Sequence, residues 1–456
     1  MFLIIFSPAA FGSMDFWAFS LMELGILLMI ILWAVENIMR NAEFGLRNFT
    51  YEIVFLSIFL IIVVFQMIPL PSGVVKLLSP KTFEIRNALT VIIPQSAIRN
   101  PQFAISFVPF STKVELLKWM TLIGLLLFLL SWRPFCREDL TLNHLVSVIM
   151  LVGVAEALYG MFESFSGHQH ILHIGKSDIP FFASFFVTGT FINRNYFAGY
   201  LLMVIPLSVG YLFSVEMFQK DRFSGWRERL SNLDGKVILL GFGIMVMILG
   251  LFFSGSRAGI VSLLLSFSLI TFFFREKTKE HLFSRASVFL LVLALLWAGS
   301  IGLDTVVSGF FTVRESLVSR QGIWENSLGI LKDFPQLGSG LGTFVHIFPM
   351  YRSFHIRGLV THAENDFLQL ASEVGFLGIG LLIAAFLFLF FKAVSGIRSL
   401  SETNSNRHLA LGAMVGILAL MFHSTVERNL QVPSNAFLYT VLWAIALRTT
   451  TRERSE

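Results

Sequence analysis

The chain has 456 residues, 55% of them hydrophobic and only 14% charged, where soluble domains carry about a quarter charged. That balance excludes a water-soluble globule. The net charge of +5 is carried mostly by short segments between apolar runs, which favours membrane topology over a nucleic-acid partner. Cys136 is the single cysteine, so an intramolecular disulfide is also excluded.

In chain order, Phe2 to Gly12 is apolar but too short to span a bilayer and reads as half a span; with no basic n-region before it, a cleaved signal peptide is disfavoured. Spanning-length runs then cover Phe16 to Val35, Tyr51 to Leu70, Leu116 to Trp132, Leu142 to Phe162, Tyr196 to Val215 and Val237 to Phe253. Further runs cover Ala258 to Phe274, Ser287 to Leu303, Phe376 to Phe391, Leu409 to Ser424 and Ala436 to Leu447. The expected fold is all-α: a polytopic transmembrane helical bundle of about 11–12 spans. With no internal repeat or linker, residues 1–456 form one membrane domain, with a large outer loop over 304–370 that contains short helices.

Lysine and arginine concentrate in alternate connections. These hold Arg40 and Arg47; Arg133 and Arg137; Lys220, Arg222, Arg227, Arg229 and Lys236; Arg275, Lys277, Lys279 and Arg285; Lys392, Arg398 and Arg407; and Arg448, Arg452 and Arg454. The positive-inside rule makes them cytoplasmic. The long segments Pro71 to Glu115, Phe165 to Asn195 and Asp304 to Gln369 then face outward.

The last outer segment is the richest in chemistry. Leu317, Trp324, Leu328 and Leu331 share a helical face that ends at Asp333-Phe334-Pro335, which predicts an amphipathic helix near the membrane surface. Gly338-Ser339-Gly340-Leu341-Gly342 lacks the preceding strand and the Gly-Lys-Ser/Thr continuation of a phosphate loop, so it reads as a turn that permits close backbone approach. Thr361 to Gln369 is expected to open the next helix. A helical His362 shares a polar stripe with Asp366, Gln369 and Glu373, and Thr361-x-x-Glu364 also fits a capping box. The first turn of such a helix favours an anion.

Cations elsewhere on the outer side are candidates for the same place. Arg257, in the tight turn Ser254-Gly255-Ser256-Arg257, sits near headgroup level, where it either pairs with an anion or snorkels to lipid phosphate. Arg194 stands between Asn193 and Asn195 at a helix entrance, where capping and interface anchoring are the plainer reading. Arg314, Arg320 and Arg352 offer bidentate guanidinium groups for a pyrophosphate, although each taken alone fits a solvated surface. His168-x-His170-x-x-His173 invites a metal, but only Asp178 accompanies it, so no metal site is expected. Intramembrane Glu23, Glu156 and Glu163 are costly unless partnered, and they are the starting point for a rival class, a secondary transporter of lipid-linked sugar or another envelope precursor. Neither inverted repeats nor paired Gly/Pro-interrupted spans support that rival.

Taken as a series, these motifs resemble the O-antigen ligase and polymerase family of bacterial envelope glycosyltransferases. The matching pieces are Gly189-Thr190-Phe191-x-Asn193-x-Asn195-x-Phe197-Ala198-Gly199-Tyr200-Leu201, Ser254-x-Ser256-Arg257, Arg320-x-x-x-Trp324, Pro335-x-x-Gly338-x-Gly340-x-Gly342-Thr343-Phe344, and His362-Ala363-x-Asn365-Asp366-Phe367-Leu368-Gln369 with Gly375 and Gly378. The resemblance implies transfer of a glycan from an undecaprenyl-pyrophosphate carrier to a glycan, lipid or protein hydroxyl, without nucleotide sugar, cofactor or metal. It places the chain in the bacterial inner membrane, among membrane lipids, with its active face periplasmic. It also implies that arginines such as Arg257 and Arg320 hold the pyrophosphate, with Arg194, Arg314, Arg352, Asn193, Asn195, Asn365 and Asp366 as further binding candidates. In that family a histidine followed by Asn, Ser or Gln, nine residues and a glycine acts near the acceptor. Counting back from Gly375 puts Glu364-Asn365 at that position, so Glu364 stands where the histidine is expected and His362 is the rival base. The motifs do not separate a ligase from a polymerase.

Overall fold

The computed structural model describes residues 1–39, 50–92, 102–131, 138–167, 170–172, 174–175, 186–215, 234–274, 320–354, 358–401 and 404–451. Cys136, Arg314, Leu317, the expected span Ser287 to Leu303, the first part of the 304–370 loop, and His168, His173 and Asp178 lie outside these residues.

The described chain is helical apart from two short antiparallel ribbons. Its elements are α1 (Phe2–Ala9), α2 (Phe16–Met39), α3 (Thr50–Met67), β1 (Leu70–Pro71), α4 (Ser72–Leu78), α5 (Pro80–Ile92), β2 (Gln102–Phe103), α6 (Pro109–Ser131) and α7 (Glu138–Phe165). Then come β3 (His170–Ile171), β4 (Ile174–Gly175), α8 (Arg194–Ser214), α9 (Gly235–Phe253), α10 (Arg257–Phe274), a helix α11 over 320–333, α12 (Phe344–Ile347), α13 (Asp366–Ser399), α14 (Ser405–His423) and α15 (Pro433–Thr451). Strand β1 pairs with β2, and β3 with β4.

Among the described residues, eight helices are long and apolar enough to cross a membrane: α2, α6, α7, α8, α9, α10, α13 and α14. In hydrocarbon every backbone polar group must be satisfied within the segment, and uninterrupted helices do that. The chain is a multi-pass helical membrane protein. Two of the remaining expected spans correspond to α3, which is apolar but shorter, and to α15. Helix α1 has 8 residues and ends at a turn where Gly12 takes φ 66°, so at about 1.5 Å per residue it covers well under half of a bilayer core, as the half-span reading expects.

Helix α8 is buried along nearly its whole length and crosses α14 at close range. A Cβ on Gly210 would come within 2.4 Å of the His408 carbonyl oxygen, and one on Gly412 within 2.5 Å of that of Pro206. Small residues at the crossing let two backbones meet in a solvent that supplies no hydrophobic drive between helices.

At one end of the bundle, α5, α11 and α12 form a cap over their own apolar cluster of Ile323, Ile330, Phe334, Phe344 and Phe348. The amphipathic helix expected around Leu317 to Leu331 is present as α11, but its stripe is rotated. Ile323, Ser327, Ile330 and Leu331 are buried while Leu328 is exposed, because the helix packs against the cap as well as facing outward.

The cap is anchored on a break in α13. Gly375 there takes φ 67° and ψ −175°, and the freed amides of Phe376 and Leu377 donate to the carbonyls of Pro335 (2.7 Å) and Gln336 (3.3 Å). The glycine-rich turn answers with Ser339 N–H to the Ser372 carbonyl (3.0 Å) and Gly340 N–H to that of Glu373 (2.9 Å). The close backbone approach expected of Gly338 to Gly342 is therefore real. The turn and the residues after it also hold a carboxyl group, but an internal one: Glu373 accepts from Gly342 N–H (2.9 Å) and Phe344 N–H (3.2 Å).

Candidate functional site

Four segments deliver charged groups to the capped end of the bundle. The first is the start of α8. Asn193 caps it by accepting from Asn195 N–H (2.8 Å), which frees the Asn195 side chain to reach elsewhere. Arg194 stacks its guanidinium over the Phe186 ring at 3.9 Å, next to Gly255 in the turn that precedes Arg257. The second segment is the start of α10, where Arg257 is exposed. Standing at the first residue of that helix, it is open to the surface rather than buried. Arg320, at the start of the described α11, is the third contributor, and the segment from Thr361 to Glu364 ahead of α13 is the fourth.

A fifth segment, the connection from α14 to α15, gathers the other four. Glu427 is buried, and one of its carboxylate oxygens accepts from both the Arg320 guanidinium and Asn195 Nδ2, the latter at 2.6 Å. The charges of Glu427, Arg257 and Arg320 all act on Arg194, so these groups share one neighbourhood. Burial raises the Glu427 carboxyl to about 7, against the opposing pull of Arg320; the nearby Glu364 adds to the rise, and Arg428 works against it.

Arg428 makes the other half of the site. Its guanidinium donates to the Tyr196 hydroxyl and to Nδ1 of His362, lies 3.4 Å from Thr361 Oγ1, and stands 3.8 Å from Glu364 Oε1. A guanidinium only donates, so Nδ1 of His362 is the accepting nitrogen and Nε2 carries the ring proton. Burial, with Arg428 and Lys118 nearby, holds the His362 imidazolium pKa well below the usual range, so the ring is neutral at physiological pH.

Beneath these groups lies buried support. His423, fully inside, meets Ser256 Oγ through Nε2 (3.4 Å) and Asn429 through Nδ1 (3.1 Å), tying the Arg257 turn to the α14–α15 connection. Asp366 accepts Leu430 N–H (2.8 Å), and its own amide donates to the Ser424 carbonyl (3.0 Å).

Several expectations change. His362 is not helical: α13 begins at Asp366, so the four-residue polar stripe loses its first member. The capping box of Thr361 and Glu364 does not form, because Asn365 is the cap, accepting from Leu368 N–H at 3.0 Å. Glu364 instead sits in the left-handed region at φ 51°, which turns its carboxylate toward Arg428. Asn365, Asp366 and Asn193 each accept a backbone hydrogen bond. Arg352 is exposed and reaches the Gly358 carbonyl at 3.5 Å. His170 lies exposed in its ribbon. Glu156 is partnered inside the bundle, accepting from Thr190 N–H (2.9 Å) and its hydroxyl (2.9 Å).

The sequence reading missed Glu427, Arg428, Tyr196 and His423. One signal was present: Glu427-Arg428 is a charge pair in a very short connection between two apolar runs, a costly place for two ionised groups unless they are partnered.

Residues 242–383 match the protein family described as O-Antigen ligase. The match takes in Arg257, Arg320, His362 and Glu364, and stops short of Arg194 on one side and Glu427 and Arg428 on the other. No curated protein matches the chain.

Proposed function

We propose, from the match of residues 242–383 to the family described as O-Antigen ligase, that the chain is a glycosyltransferase of the bacterial inner membrane. In this reading it moves a glycan from an undecaprenyl-pyrophosphate carrier to a hydroxyl acceptor on the periplasmic face. One observation carries the reading: among the described residues, Arg194, Arg257, Arg320 and Arg428 stand at one end of the bundle, with Glu364, Glu427 and the buried Asp366 as the carboxylates beside them. The surplus positive charge at a membrane boundary suits a lipid-linked diphosphate.

The outward orientation rests on charge bias. Lys392, Arg398, Arg407 and Arg448 fall at the opposite ends of α13, α14 and α15, as the positive-inside rule expects of the cytoplasmic side.

In the reaction, the acceptor oxygen attacks the anomeric carbon, the bond from that carbon to the diphosphate oxygen breaks, and the lipid diphosphate leaves with the electron pair. Arg194, Arg257 and Arg320 stabilise the charge growing on the leaving group. Glu364 takes the acceptor proton. The His362 lone pair is spent on Arg428, so His362 serves through Nε2–H as a hydrogen-bond donor that orients the acceptor, and Arg428 positions both. In this reading no metal takes part.

Transfer from a lipid-linked glycan by the purified enzyme, with Arg257→Ala, Arg320→Ala and Glu364→Gln alongside, tests the assignment. Glycan analysis of a deletion strain separates the two family activities. Lipid-linked single repeats mark a lost polymerase, and long unattached chains a lost ligase. Substrate-dependent proton flux without a new glycosidic bond would favour the transporter.

A further inference from the structure

Glu427 occupies the place that a donor diphosphate needs. It is the acceptor for Arg320 and Asn195, it is 2% exposed, and Arg194 lies within reach of its charge. A diphosphate diester brings two negative charges. If Arg320 turns to the phosphates, Glu427 is left buried, ionised, stripped of its strongest partner and beside new anions, which is unfavourable in a site of low dielectric. Protonation removes that cost. The neutral acid keeps a carbonyl oxygen for Asn195 and gains an O–H to donate to a phosphate oxygen.

We propose that Glu427 is an internal stand-in for the donor diphosphate, and that donor binding displaces its contact with Arg320 and takes up one proton on its carboxyl. The inference rests on the diphosphate reading of the arginine cluster and makes Glu427 a positioning residue for Arg320. Every group facing Glu427 has a part in this. Arg320 and Asn195 release or keep a hydrogen bond, and Arg194 and Arg428 hold fixed positive charge. Glu364 adds negative charge that favours protonation, Tyr196 is engaged by Arg428, and neutral His362 and His423 contribute no charge. The free carboxyl already titrates near neutrality, at about 7, so the exchange falls within the working pH range.

The probe is a short-chain polyprenyl diphosphate sugar, a diester whose own charge is fixed across the range, bound to the full chain in detergent. Wild-type dissociation constants should rise about tenfold per pH unit above about 7. E427Q should bind with a flat pH profile close to the wild-type affinity at low pH. Calorimetry of the wild type in two buffers of different ionisation enthalpy should show uptake of about one proton above neutrality and less below it, a readout that needs no variant. A flat wild-type profile with no proton uptake overturns the stand-in role while leaving the diphosphate reading intact, and so does a slope retained in E427Q. No binding by the wild type at any pH overturns the diphosphate reading itself, and the stand-in role with it.

Discussion

Arg428 seats its guanidinium against Nδ1 of His362 and stands 3.8 Å from the Glu364 carboxylate. One cation thus consumes the lone pair of one candidate base and sits beside the other without neutralising its reach, since Glu364 keeps part of its side chain exposed. Two residues apart in sequence, they hold opposite chemical positions because the chain turns left-handed at Glu364.

From this follows an asymmetry in rate. Glu364→Gln is expected to lower kcat by about 10²–10⁴, the usual contribution of a general base. His362→Gln, which keeps a donor near the position of Nε2–H, should stay within about tenfold of wild type on the same scale. Steady-state transfer assays check both, and the reverse order would exchange the two roles.

Arg320→Ala and Arg257→Ala are each expected to lower kcat/KM by about 10²–10³ through lost stabilisation of the leaving diphosphate. Arg352→Ala, an exposed side chain bonded to the Gly358 carbonyl, should leave it near wild type. Full activity in both of the first two variants sinks the clamp.

The neutral state of His362 has a signature in stability. Its folded pKa lies below the unfolded value of 6.5, so below that pH the unfolded chain binds the extra proton and stability falls with acidity. Above 6.5 the group contributes no pH dependence. The melting temperature of wild type relative to His362→Gln, followed from about pH 8 to pH 5.5, should therefore be constant at first and then decline on the acid side. A difference that grows toward alkaline pH would contradict the sign.

Gly375 and Gly338 interlock the α13 break with the cap. Both have positive φ, and an added Cβ would lie 2.3 Å from the Gln336 oxygen or 2.2 Å from the Glu373 carbonyl carbon. Gly375→Ala and Gly338→Ala are expected to destabilise the protein by at least about 1 kcal/mol, visible as a fall of about one degree or more in melting temperature. Gly241→Ala, in open space on α9, is the matched control and should be neutral or slightly stabilising.

What the amino-acid sequence determined by itself was everything set by one-dimensional physics. Runs of apolar residues long enough to cross hydrocarbon must be helices, so the membrane class and most of the span positions were readable from Phe16 onward. Arg257 was also readable as a candidate, because a charge next to a membrane boundary needs a reason to be there, while Arg320 and Glu364 became candidates through the family resemblance.

What only the tertiary structure decided was pairing. Whether Asn365 or Thr361 caps α13 depends on a left-handed turn at Glu364 that no periodicity announces. The glycine-rich turn was legible as a close approach, but not as a cradle for Glu373, a residue more than thirty positions later in the chain. Glu427 and Arg428 went unread for the same reason. Their partners Arg320, Asn195, Tyr196 and His362 lie 66 to 232 positions away, and a charge pair acquires meaning only when folding brings its counterions within a few ångströms, where Coulomb and hydrogen-bond energies become large.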